Sequence, residues 1–275
     1  MLAVVYSWTL APAPIAIAAV AAALFAQGFV RLRRRAPRYA PWTRPALFAL
    51  ALAAGVLPLV TPLDVVADDY LLSAHMLEHV LIGDIAPMLA ILALRGPLVF
   101  FLLPQPALRT LAGIGPLRTA LSFLLRPAVS FVVAVAVVAG WHIPAAYDYA
   151  DLHEHVHDLQ HLCFVVAGTL VWTQLVDPAR RRALTDAGRI FYAWGLFAAG
   201  ELSTHVILLD NVAHYRPYAE QPVRLLGLSA VADQHWAAAV MSIEQVLVFG
   251  ALTLALVRRI PIPGELSQRA DALDQ

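Results

Sequence analysis

The sequence predicts an all-α fold: a polytopic integral membrane protein, built as a seven-helix transmembrane bundle with its N-terminus outside and its C-terminus inside. Three observations predict it. Hydrophobic residues make up 60% of the chain and charged residues only 14%, where a soluble domain carries roughly 25% charged residues. Seven apolar stretches approach the length of about 20 residues needed to cross a hydrocarbon core of about 30 Å. Arginine and histidine fall at opposite ends of those stretches.

The first span, approximately 8–30, has no basic segment before it and is followed by Arg31-Leu-Arg-Arg-Arg35. It reads as an uncleaved span rather than a signal peptide. The second, 44–62, contains Pro58 and ends at Pro62, residues that kink or stop a helix. The third, 70–94, carries Pro87, which a packed bundle tolerates. The fourth to seventh spans cover 126–142, 157–176, 189–209 and 235–257. The connection 95–125 holds a further apolar piece at 98–103, expected to extend the third span or lie at the interface. Residues 1–259 thus form one membrane domain. Residues 260–275 read as a short, polar cytoplasmic tail.

Orientation follows from arginine. Arg31, Arg33, Arg34, Arg35, Arg38 and Arg44 separate the first two spans. Arg95, Arg109, Arg118 and Arg126 separate the third and fourth. Arg180, Arg181, Arg182 and Arg189 separate the fifth and sixth. Arg258, Arg259 and Arg269 follow the seventh, and only Arg216 and Arg224 lie on the other side. The positive-inside rule makes the arginine-rich side cytoplasmic. The formal net charge is zero, so no basic field points to nucleic acid. The single cysteine, Cys163, excludes an intramolecular disulfide and a thiolate-only metal site.

All ten histidines lie toward the other side. Histidine is the commonest metal ligand and a proton carrier. His75 and His79 are four residues apart and share one helical face, joined by Glu78. His157 and His161 repeat that spacing. Glu201 and His205 do so again, and Met241, Glu244 and Gln245 share a face of the last span. At 1.5 Å per residue, Glu78, Glu201 and Glu244 lie roughly 12–14 Å below the outer helix ends, with His79 beside Glu78 and with His161, His205 and Met241 roughly one turn above. Ionisable groups at such depth cost about 2.5–3.5 kcal/mol on insertion scales, which favours an inward-facing metal or proton site. Imidazole suits copper, zinc, iron and nickel, and a thioether favours Cu(I). Paired histidines also suit bis-histidine haem, although no C-x-x-C-H is present. Asp84 lies about 140° around the helix from His79, away from that face.

These segments resemble the CtaG-type cytochrome c oxidase assembly factors, a seven-span bacterial membrane family. The resemblance rests on His75-Met-Leu-Glu-His79 with Pro87 and Gly96-Pro97, and on Trp141-His-Ile-Pro144-Ala-Ala-Tyr147-Asp. It rests also on His157-Asp-Leu-Gln-His161 with Gly168 and Trp172, and on Asp233-Gln234 leading to Met241. It covers about residues 70–245. Glu78 stands where the family commonly has Gln, and Ser242-Ile-Glu244-Gln245 replaces the usual aromatic and Pro/Gly residues.

The resemblance implies maturation of a haem–copper oxidase, through copper handling at the periplasmic face of the bacterial inner membrane. The expected metal ligands are His75, His79, His157, His161 and Met241, supported by His142, His205 and Asp233. Glu78, Glu201 and Glu244 are expected to orient the imidazoles or take protons released on binding. The partners on this reading are oxidase subunits, membrane lipid and a periplasmic copper chaperone, and the protein is not itself an enzyme. Two alternatives use the same residues. One is a zinc-dependent intramembrane hydrolase, with zinc-bound water and a carboxylate base. The other is a metal or proton transporter.

Overall fold

The computed structural model describes residues 8, 9 and 11–258, and of residues 203–208 the backbone alone. The expected tail at 260–275 and the side chain of His205 lie outside the described residues. Among the described residues the chain is helical throughout, with no strand.

Helix α1 (Pro12–Arg35) starts on a proline and ends on Arg33, Arg34 and Arg35. Both ends suit it: proline costs no hydrogen bond in the first turn, and cations favour the last. Helix α2 (Thr43–Val56) has 14 residues, about 21 Å at the α-helical rise. It stops short of the expected limit at residue 62 because Pro58 and Pro62 cannot continue it. Helix α3 (Pro62–Asp69) follows as a separate short element.

The third expected span is one path in three pieces: α4 (Leu72–Val80), a π-helical turn (Leu81–Ile85) and α5 (Ala86–Ala93). Pro87 accounts for the turn. Its ring would collide with the carbonyl of residue 83 in a regular helix and it donates no hydrogen bond, so the ladder widens just before it. Short helices α6 (Gln105–Gly113) and α7 (Gly115–Leu124) then lead to α8 (Pro127–Trp141), with a bend of 75° between α7 and α8. The piece at 98–103 does not extend the third span. Most of it belongs to a 3₁₀ turn (Gly96–Phe101) that packs on α1. The remaining helices are α9 (Pro144–Asp151), α10 (Glu154–Val176), α11 (Asp186–Leu208), α12 (Arg216–Ala219) and α13 (Ala230–Val257).

Four stretches are long and apolar enough to cross a membrane: Pro12–Arg35, Leu72–Ala93, Glu154–Val176 and Ala230–Val257. The bent α7–α8 pair makes a fifth if it is one span. Helices α2 and α11 occupy the places of the second and sixth expected spans.

The two ends of the bundle differ chemically. At one end, arginines hydrogen-bond backbone carbonyls near helix ends. Arg31 donates to Phe101 O, Arg44 to Ala93 O at 3.1 Å, and Arg181 to Leu125 O at 3.0 Å. At the other end lie α3, α9, α12 and the N-termini of α4, α10 and α13. An apolar cluster of Leu72, Met76, Tyr147, Tyr215, Tyr218 and Ala237 closes that end. A larger cluster around Trp172, Leu175, Ala193 and Phe249 fills the bundle beyond it.

Candidate metal centre

The i, i+4 spacing places His75 and His79 one turn apart on α4, and His157 and His161 one turn apart on α10. The two helical paths meet at the π turn, where α10 packs against Leu81–Ile85. The close approach needs two glycines. A Cβ on Gly168 would stand 1.8 Å from Gly83 O, and one on Gly83 would stand 2.9 Å from Phe164 Cβ. Gly83 O is the carbonyl that Pro87 cannot bond.

The result is a four-imidazole cluster. One nitrogen from each of His75, His79, His157 and His161 lies within 4.8 Å of the others. His75 Nε2 is 3.0 Å from His79 Nε2 and 3.1 Å from His157 Nε2. Tetrahedral coordination at the usual metal–imidazole length of about 2.0 Å puts neighbouring nitrogens about 3.3 Å apart. The cluster therefore fits a single first-row ion with small adjustments.

Tyr218 sets the tautomer of His75. Its hydroxyl donates to Ala67 O at 2.8 Å, so at 2.5 Å from His75 Nδ1 it is left to accept. His75 then carries its proton on Nδ1 and presents the Nε2 lone pair to the cluster, the arrangement metal ligands use. Asp68 and Asp151 stand outside the same ring, at 3.9 Å and 3.7 Å from Nδ1. Burial pushes both carboxyls up to about 7, and neighbouring aspartates add to it. Asp68 keeps 40% of its side chain exposed, against 7% for Asp151, so solvent tempers the effect at Asp68 more. Tyr218, Asp68 and Asp151 were not among the expected site residues. They sit on loops and short helices whose approach to α4 no sequence spacing encodes. The only sequence signal was their clustering in the histidine-side connections.

Glu78 is fully buried at 0% exposure. Its Oε1 lies 3.5 Å from His161 Nε2, and neither oxygen has a hydrogen-bond partner among the described residues. With Asp68 and His157 it forms a second group whose ligand atoms lie within 4.8 Å of one another.

The other expected residues fall elsewhere. Asp233 accepts from Leu72 N at 2.7 Å and from Ser73 N at 3.2 Å, and Ser73 Oγ adds a third bond at 2.5 Å. It caps the start of α4 from another helix, so both oxygens are engaged outside the four-imidazole cluster. His142, Met241 and Glu244 line an adjoining cavity together with His79. Glu201 accepts from Ser242 Oγ at 2.9 Å. Of the remaining histidines, His153 bonds Tyr149 O, His214 pairs with Asp210, and His235 bonds Asp210 O. None of these three enters the cluster.

The fold and the site define a class: an all-helical protein with membrane-length apolar helices and a buried histidine cluster near one end. The family model of the cytochrome c oxidase caa3 assembly factor (Caa3_CtaG) matches residues 23–260, and the chain belongs to that family. The match spans every helix from within α1 to the end of α13, and so contains the whole histidine cluster. No curated protein and no solved structure gives a match. The resemblance read from the motifs holds, and the chain is a cytochrome c oxidase assembly factor at the level the family defines.

Proposed function

We propose that this protein handles copper for a haem–copper oxidase, binding the ion at the periplasmic end of a seven-span bundle in the bacterial inner membrane. The observation that carries the reading is the convergence of His75, His79, His157 and His161, in a chain of an oxidase-assembly family. On this reading α2 and α11 complete the seven spans. The arginine-bearing end faces the cytoplasm, which puts the N-terminus outside and the C-terminus inside.

Copper is the cargo. A periplasmic chaperone delivers it, the imidazoles take it by ligand exchange, and an oxidase subunit removes it the same way. Four nitrogens suit Cu(II) or Cu(I) and give no redox chemistry by themselves. His75 is held by Tyr218 as a ready ligand, and Glu78 orients or neutralises the bound state through His161. In a deletion strain, haem–copper oxidase activity should fall while the oxidase polypeptides are still made, and added copper should restore part of it. Normal oxidase metallation in a strict deletion, with no redundant factor, would sink the assembly role.

The second reading is zinc-dependent hydrolysis. It draws on Glu78, whose free carboxylate beside His161 could act as base to a zinc-bound water. Stable zinc in the purified protein, with turnover of a lipid or amide that Glu78→Gln abolishes, would favour it over copper handling.

A further inference from the structure

Beside the four-imidazole cluster lies a cavity of about 140 Å³, lined among others by His79, Asp84, His142, Met241, Glu244 and Gln245. A water occupies about 30 Å³, so the space has room for an ion together with several waters. Four of its wall residues, His79, His142, Glu244 and Gln245, carry buried polar atoms with no partner among the described residues, and two of the four are imidazoles. His142 is 4% exposed, and its Nδ1 lies 2.7 Å from Val138 O. A carbonyl only accepts, so Nδ1 holds the proton and Nε2 holds a lone pair. That Nε2 is buried without a partner among the described residues. His79 uses Nε2 toward His75, and its other nitrogen, Nδ1, is likewise buried without a partner. Buried polar atoms left unpaired are costly, and a bound ligand relieves that cost.

We propose a second copper station in this cavity, one that takes Cu(I) through His142 Nε2, Met241 Sδ and the inner nitrogen of His79. It rests on the copper reading above. Imidazole with thioether is a soft set, which selects Cu(I) over hard cations. Calcium and magnesium take about six oxygen ligands. The wall offers only the carboxyls of Asp84 and Glu244 and the amide of Gln245, and Trp172 Nε1 already donates to Asp84. His79 lies between both sites, and its single lone pair serves one ion at a time. An ion passes from the outer cluster to the inner station as His79 changes the nitrogen it offers, its N–H proton moving to the other ring nitrogen, with no change of oxidation state. When both stations are filled, His79 stays with the outer cluster and His142 Nε2 and Met241 Sδ hold the inner ion.

The test is Cu(I) binding to the purified full-length protein, under anaerobic reducing conditions and in competition with a chromophoric Cu(I) chelator. The wild type should hold two copper equivalents. His142→Gln combined with Met241→Leu should hold one, and His157→Ala combined with His161→Ala should also hold one. X-ray absorption should show a sulfur neighbour in the wild type and in the His157/His161 variant. That neighbour should vanish in Met241→Leu, a near-isosteric change that spares the fold. A single equivalent that the His157/His161 variant loses, unchanged by the His142/Met241 changes, overturns the inner station and leaves the copper reading standing. One equivalent lost in both variants means one shared site and also overturns it. No copper in any form removes both.

Discussion

The Tyr218 hydroxyl decides which nitrogen of His75 is free. With Tyr218→Phe the acceptor for His75 Nδ1–H is gone, and the ring can take either tautomer. Copper affinity should fall about 10–100-fold, the usual cost of losing a partner that orients a ligand, with the fold intact. Equal affinity in Tyr218→Phe would show that the hydroxyl only packs. Asp151 gives a pH signature. Its carboxyl is raised from 3.8 to about 7 by burial, so the folded state binds its proton more readily than the unfolded chain. Stability from this group is therefore greatest at low pH and declines between about pH 4 and pH 7. In thermal melts of the metal-free protein, Asp151→Asn should gain relative to wild type as pH rises through that window. A constant difference between the two proteins would remove the assignment. Sequence spacing exposed the four histidines because both pairs lie at i, i+4 on continuous helices. Tyr218 and Asp151 stayed hidden because they reach His75 only through the packing of α9 and α12.

The critical element contact is where α10 crosses the π turn. Gly168 has no room for a methyl against Gly83 O. Gly168→Ala should force α10 away from α4 and pull the two histidine pairs apart. Both yield of folded protein and copper binding should drop sharply, whereas Gly250→Ala, which meets open space, should be silent. Folded, copper-binding Gly168→Ala would show that the crossing can relax. Asp233 belongs to this scale too. It was expected as a metal ligand, and the geometry instead makes it the cap of α4. Asp233→Ala should cost about 0.5–2 kcal/mol, as other lost caps do, in a denaturation measurement. Hydrophobicity located most of the long helices. The π turn was not read, although Pro87 marked it. The end of α2 was misplaced because apolar content continues past Pro58 while the helix does not.

At the scale of the molecule, the sorting of arginine and histidine to opposite ends predicts topology. Single cysteines near Arg109 and Arg181, in a Cys163→Ser background, should be labelled only from the cytoplasm. Those near Tyr149 and Tyr218 should be labelled from the periplasm. Periplasmic labelling at 180–182 would reverse the orientation. The central claim is that His75, His79, His157 and His161 bind copper as one site. It is tested most directly by the metal content of the purified full-length protein beside that of a His79→Ala, His161→Ala double variant. The account predicts copper in the wild type and loss of most of it in the double variant, which remains folded in the membrane. Full copper occupancy in that variant, or tightly bound zinc with no copper in the wild type, would contradict it.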